Sequence, residues 1–377
     1  MTHKKILSLC FVLLALAFSL FSFTLVDLNL TLLNWTPYLT VQSYFTQLGF
    51  FNRPTNSFIL ILLFFLLFAI YPFLVLHASR LSRLILIGLL FFAFSYNAFS
   101  YDLFNYMFDA RIVTKYGLNP YQSLNSAQIQ FNIFQFNTQD GRPTALDFPD
   151  DEWTRFMHWT HRPFPYGPGW LLVSLIPSIL GFQKFLLTFL LFKFLFLIAY
   201  LLSCWSIYRI ILFLHQDRSL AFQAVVLYAF QPLVLIDGLL SPHLDNFMGS
   251  FALFAIVLTL QGIRLHSIFA LLFSASIKFA TLVYFPFINS FVLQKFPKHI
   301  VFGLLFLTSI ALAFLQAISQ SSYQPWYGLL VSGTLPLLTG YVKVKYLILM
   351  GLIISFPMWV YVYYAFTGVM LNAIPLF

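Results

Sequence analysis

Apolar residues run in long stretches through this chain, and polar residues collect in the gaps between them. Runs at 6–26, 58–76, 84–99, 185–208, 221–236, 247–260, 300–318 and 347–366 predict helices that cross a bilayer, a task that takes about 20 apolar residues. Shorter runs at 267–277, 281–293 and 329–338 predict short membrane helices, the first two forming a hairpin with Lys278 at its outer turn. Together these make about 11 spans, by the usual hydropathy logic. The run 170–180 is half the spanning length and predicts a re-entrant or interfacial helix. Residues 27–56 are mixed and aromatic, which predicts an outer loop near the interface. The first run follows Lys4 and Lys5, exceeds a signal peptide's apolar core and has no small-residue cleavage site after it. It predicts a retained helix with a cytoplasmic N-terminus.

One long polar passage, 100–166, interrupts the pattern. It holds seven of the chain's 11 acidic residues: Asp102, Asp109, Asp140, Asp147, Asp150, Asp151 and Glu152. Chemistry that uses carboxylates belongs there first.

Composition agrees with a membrane protein. The 377 residues are 60% hydrophobic and 8% charged, against about 25% charged in soluble domains. The expected architecture is therefore all-α and polytopic, one integral-membrane domain over 1–377 with an outer loop at about 101–183. The net charge of +9 does not imply nucleic acid, because the basic residues are spread singly and nucleic-acid binders cluster them on one face. Cys10 and Cys204 both sit in apolar runs, which excludes a disulfide framework.

The basic residues do set an orientation. Lys4, Lys5, Arg80, Arg83, Arg209, Arg218, Arg264, Lys295, Lys298, Lys343 and Lys345 fall in the short loops of one side. Only Arg53, Lys184 and Lys278 fall in short segments of the other. Lys and Arg in short loops mark the cytoplasm, so the long polar passage lies outside. No inner loop is long enough for a nucleotide-binding domain, and no phosphate-cradling glycine loop occurs. A transferase so arranged must take its donor from the membrane.

Several constellations carry candidate chemistry. If 102–113 is helical, Asp102 and Asp109 share a face with Tyr106 between them. Their Cα atoms then lie about 10 Å apart, which suits one base and one positioning group; a solvated amphipathic helix is the alternative. Gly117 is the expected residue just past the helix end, with Pro120 beyond it. His158, His161, Arg162 and Tyr166 at the bilayer edge suit a lipid phosphate or, equally, snorkelling side chains. His243 and Asp245 form His-x-Asp without a third ligand at metal spacing, so no metal is expected and a His–Asp hydrogen bond or sugar contact is preferred. Lys278 between short apolar helices suits a phosphate partner or, equally, snorkelling, and Lys193 inside a span suggests pairing with an acid. Gln324-Pro325-Trp326-Tyr327 offers sugar stacking or an aromatic belt.

Ser100-x-Asp102-x-x-x-Tyr106-x-x-Asp109-x-Arg111, then Gly117-x-Asn119-Pro120-Tyr121, resembles the first external loop of GT-C glycosyltransferases. The chain is most similar to the bacterial α-mannosyltransferases related to GPI mannosyltransferase I and to the mycobacterial lipomannan mannosyltransferases. His161-Arg162-Pro163-x-Pro165-Tyr166-Gly167-Pro168, Pro242-His243-Leu244-Asp245, Ser276-Ile277-Lys278 and Gln324-Pro325-Trp326-Tyr327 match family patterns in order, over roughly 95–338. Tyr101 stands where many relatives carry a second acid, and Tyr-Gly-Pro replaces Tyr-Pro-Pro.

The resemblance implies a GT-C fold and inverting transfer of a hexose, mannose by the closest likeness, from a polyprenyl-phosphate donor. The acceptor is a hydroxyl of a glycan, glycolipid or protein at the outer face of the cell membrane. The lipid-linked sugar is a co-substrate and no cofactor is implied. Asp102 maps onto the family's base. Asp109 and Arg111 would orient the donor or the loop, and Arg162, His161 and Lys278 would face the phosphate. Tyr106, Asn119, Tyr121, Tyr166, His243, Asp245, Trp326 and Tyr327 would complete the binding site. A transporter or lipid flippase would show internal repeats and broken helices meeting at mid-membrane, and the Asp102 motif has no repeat. A lipid-linked oligosaccharide polymerase or ligase would place its large loop between later spans.

Overall fold

A computed structural model describes residues 3–26, 30–123, 141–289, 292, 295–320, 322–368 and 374–375 of the chain. Asp27 and Asp140 lie outside the described residues. The architecture is all-α: α1 (His3–Phe21), α2 (Thr36–Phe51), α3 (Arg53–Leu76), α4 (Ile85–Phe94), α5 (Asp102–Thr114), α6 (Pro168–Leu180), α7 (Phe185–His215), α8 (Arg218–Ala229), α9 (Leu244–Leu260), α10 (Arg264–Ile277), α11 (Lys298–Ser319), α12 (Gly328–Thr334), α13 (Val344–Ser355) and α14 (Val360–Thr367). A π-helical segment, Val234–Leu240, follows α8, and a 3₁₀ segment, Phe279–Ile288, follows α10. Among the described residues the strands are one two-residue antiparallel pair, β1 (Ser322–Tyr323) with β2 (Ile374–Pro375).

Five helical stretches are long and apolar enough to cross a membrane: Lys5–Leu25, Arg53–Leu76, Phe185–His215, Lys298–Ser319 and Val344–Thr367. A sixth arises if α8 and the π segment, bent by 71°, count as one broken span. Ile85–Phe94, Pro168–Leu180, Leu244–Leu260, Arg264–Ile277 and Phe279–Ile288 are apolar but shorter. The expectation of about 11 spans thus resolves into a core of long helices and a set of short ones packed among them.

Three expectations change. The outer loop at 27–56 is largely helix α2, and α2 carries no charged residue. Its Gln42 donates to Leu30 O (2.6 Å) and its Thr46 to Phe23 O (3.2 Å), which ties it down to the end of the first span. The third run ends at Phe94, and Ser95–Ser100 leaves the helix. Lys193, fully buried in α7, has no acid partner among the described residues. Its ammonium donates to Leu239 O (2.8 Å) and Leu240 O (2.7 Å), two carbonyls at the end of the π segment.

The alternation read from the charges is present in space. At one end, Ser82 N donates to Ser8 Oγ (3.0 Å), and Tyr341 lies against both His215 and His299 (ring centroids 4.9 and 6.0 Å). The basic short loops gather there. At the other end, Tyr101 and Tyr364 join hydroxyls at 3.1 Å, Arg53 donates to Thr367 O, and the described part of the polar passage closes over the bundle.

Candidate active site

Helix α5 opens beside the bundle's mouth. Ser100 Oγ accepts from Asp102 N (3.1 Å), so the motif serine supports the first turn. Asp102 occupies that turn, where helix N–H groups favour negative charge. Its side chain is 17% exposed, while Asp109, two turns on and on the same face, is buried. Burial first, and then the charge of Asp102, hold the Asp109 carboxyl well above the usual carboxylate range. Between them, the Tyr106 hydroxyl accepts from Leu244 N (3.3 Å), and its ring packs on Tyr166 and Trp170 (5.4 and 5.2 Å). The start of α9 is thereby docked onto α5.

The far end of α5 is pinned. Gly117 takes φ 67°, a conformation glycine adopts freely, and its N–H closes on Val113 O (3.0 Å). Arg111 Nε and Lys115 Nζ both reach Asp151 Oδ2 at 2.7 Å, while Arg111 also covers the Trp153 ring at 3.9 Å. Burial would push the Asp151 pKa up, but hydrogen bonds from Lys115, Tyr116 and Arg111 outweigh it and hold the carboxyl well below its ordinary value. With its guanidinium taken up this way, Arg111 braces the loop.

The other motifs meet Asp102 from across the bundle. His243 follows the π segment, and its Nδ1 lies 3.2 Å from Asp102 Oδ2, though without hydrogen-bond alignment. Its ring stacks on Trp326 at 4.0 Å and 10°. Asp245, in the first turn of α9, takes the Lys278 ammonium at 2.9 and 3.2 Å. Lys278 sits in extended backbone between α10 and the 3₁₀ segment. The turn at 163–169 is pressed onto that junction: Gly167 N donates to Ile277 O (3.0 Å), and a Cβ on Gly167 would come within 2.0 Å of Ser276 O. Any side chain at position 167 would therefore have to displace that backbone.

Two phenols report the convergence. Tyr166 is raised well above its ordinary pKa by burial first, then by Asp102, Asp109 and Asp245. Tyr327 is raised by burial, Asp245 and Asp102, with Arg162 opposing, and the Lys278 ammonium stands 5.9 Å from its ring. Asp102, Asp109, Tyr106, Tyr166, His243, Asp245, Lys278, Trp326, Tyr327 and Arg162 thus gather around one locus. Arg162 is exposed on the Trp159 ring (3.7 Å), with no carboxylate partner among the described residues. Three expected residues stand further out. Asn119 is exposed and accepts from Tyr121 N (3.0 Å), closing its own turn. Tyr121 donates to Tyr166 O (3.0 Å) and supports the site from behind. His161 is exposed beside Trp159.

The sequence reading missed Asp237 and Tyr361. Asp237 is fully buried in the π segment, where the Tyr361 hydroxyl donates to its Oδ1 at 2.9 Å. Its position at the edge of an apolar run hid it; an ionisable group within a span is a signal in its own right. Among the described residues no group of three or more His, Cys, Asp or Glu side chains is placed to hold a metal ion.

A family model described as alpha-(1->6)-mannopyranosyltransferase, N-terminal domain, matches residues 57–294, which include Asp102, Asp109, His243, Asp245 and Lys278. Joined to an all-α bundle with membrane-length helices, that match makes the protein a polytopic membrane glycosyltransferase. The chain belongs to the alpha-(1->6)-mannopyranosyltransferase family, and membership supports mannosyl transfer as its activity. Neither the curated proteins nor the solved structures returned a match.

Proposed function

We propose that the protein moves a mannosyl unit from a polyprenyl-phosphate donor to an acceptor hydroxyl, with inversion, at the outer face of the cell membrane. The observation that carries this is the position of Asp102, a partly open carboxylate sharing one locus with His243, Tyr327, Lys278 and Arg162. Asp102 accepts the acceptor hydroxyl's proton as the oxygen attacks the anomeric carbon. The bond from that carbon to the phosphate oxygen breaks, and its electron pair leaves with the lipid phosphate. A positioned base supplies about 10²–10⁴-fold. Arg162, which has no acid partner among the described residues, and Lys278, which shares its charge with Asp245, stabilise the departing phosphate. Inversion that ends in the α-linkage of the family's description requires a β-linked donor.

A lipid-linked donor is supported by the basic short loops gathered at the opposite end of the bundle, because Lys and Arg in short loops favour the cytoplasm and nucleotide sugars are found there. The test offers purified protein a mannose-terminated acceptor with either polyprenyl-phosphate mannose or nucleotide-linked mannose. Consumption of the lipid-linked donor alone is expected. Transfer from the nucleotide-linked donor alone would overturn the donor assignment.

A further inference from the structure

Behind His243 lies a group the proposed reaction has not used. We propose that Asp237 is a positioning residue that acts on Asp102 through His243. This rests on the reading of Asp102 as the base.

Asp237 is 0% exposed, and a carboxyl in a membrane-spanning segment is costly unless something depends on it. A purely structural acid would have both oxygens bonded, as buried polar groups almost always do. Here Oδ1 takes the Tyr361 hydroxyl, and Oδ2 has no hydrogen-bond partner among the described residues. His243 has the same property: it is fully buried, and neither ring nitrogen is hydrogen-bonded to any described residue. Asp237 interacts electrostatically with His243 and with Asp102. Two enclosed groups with unused hydrogen-bonding capacity therefore stand beside the partly open Asp102, with the imidazole reaching it at 3.2 Å.

The backbone makes this arrangement rigid. His243 N donates to Asp237 O (2.9 Å), so any shift of the π segment carries the histidine with it. The ring is clamped flat against Trp326, and Lys193 holds the next two carbonyls of the segment. The stacked ring and the backbone bond hold the imidazole beside Asp102. Its near-contact with Asp102 is of the kind that tightens when substrate binds. Asp237 sets the imidazole, and the imidazole sets which Asp102 oxygen meets the acceptor proton. Asp237 touches no substrate, so it affects turnover and leaves donor affinity alone.

The experiment is a double-mutant cycle on purified, detergent-solubilised full-length protein, with polyprenyl-phosphate mannose as donor and thermal unfolding as the folding control. Asp237→Asn should lower kcat about tenfold or more, a fraction of what a positioned base supplies, with donor KM held within about twofold. In a His243→Gln background the same substitution should change kcat by less than about twofold, because coupled residues are non-additive. An undiminished effect in that background, or wild-type kcat in Asp237→Asn alone, overturns the inference while leaving Asp102 as the base. Should Asp237→Asn fail to fold, Tyr361→Phe takes its place in the same two backgrounds with the same criteria. Loss of the base reading itself would show separately, as activity retained in Asp102→Asn.

Discussion

Asp102 and Asp109 share a helix face but not an environment, and that difference divides their roles. Asp102 is partly open beside an imidazole, while Asp109 is buried and held well above the carboxylate range by burial and by Asp102. A carboxyl with a raised native pKa holds its proton better folded than unfolded. Stability from that source is complete below about pH 4, the unfolded value, and is lost as pH rises toward the native one. Asp109→Asn removes the difference. The thermal midpoint of the variant should therefore fall less between pH 5 and pH 8 than that of the wild type, and parallel profiles would contradict the assignment. The seven-residue spacing made the shared face legible. The imidazole beside Asp102 was not legible, because that contact joins the polar passage to a turn beyond the π segment, and no local pattern encodes it.

At the scale of elements, the site depends on short pieces meeting end to end. The α8–π bend of 71° delivers His243, α9 starts with Asp245, and the α10–3₁₀ junction presents Lys278. Runs of apolar residues gave the existence of these helices but not their breaks. The π turn has no sequence period of its own, and Lys193, which stabilises it, looked as if it needed an acid. The turn at 163–169 is a tight joint. Gly167→Ala would drive a Cβ into the Ser276 carbonyl, backbone that cannot move without moving Lys278. Overpacking of this kind costs about 1–3 kcal/mol. The variant should show a lower thermal midpoint and a raised donor KM, read by unfolding scans and initial rates. An unchanged KM would mean that the joint does not set the position of Lys278.

The whole molecule separates its charges by end. Basic short loops gather at one end, and the polar passage, with most of the acids, closes the other. This division was legible because charge bias and apolar periodicity act over many residues and average out local errors. Asp102, Asp245 and Lys278 come from segments far apart in the chain, and only the packed bundle brings them together. The central claim is that this assembly uses Asp102 to take a proton from an acceptor hydroxyl while a lipid phosphate leaves. Its most direct test is initial-rate transfer from radiolabelled polyprenyl-phosphate mannose by purified wild type and Asp102→Asn, with donor binding measured alongside. Transfer in the variant should fall by at least about 10²-fold, the lower bound for loss of a positioned base, with donor affinity kept. Wild-type turnover in Asp102→Asn would contradict the account.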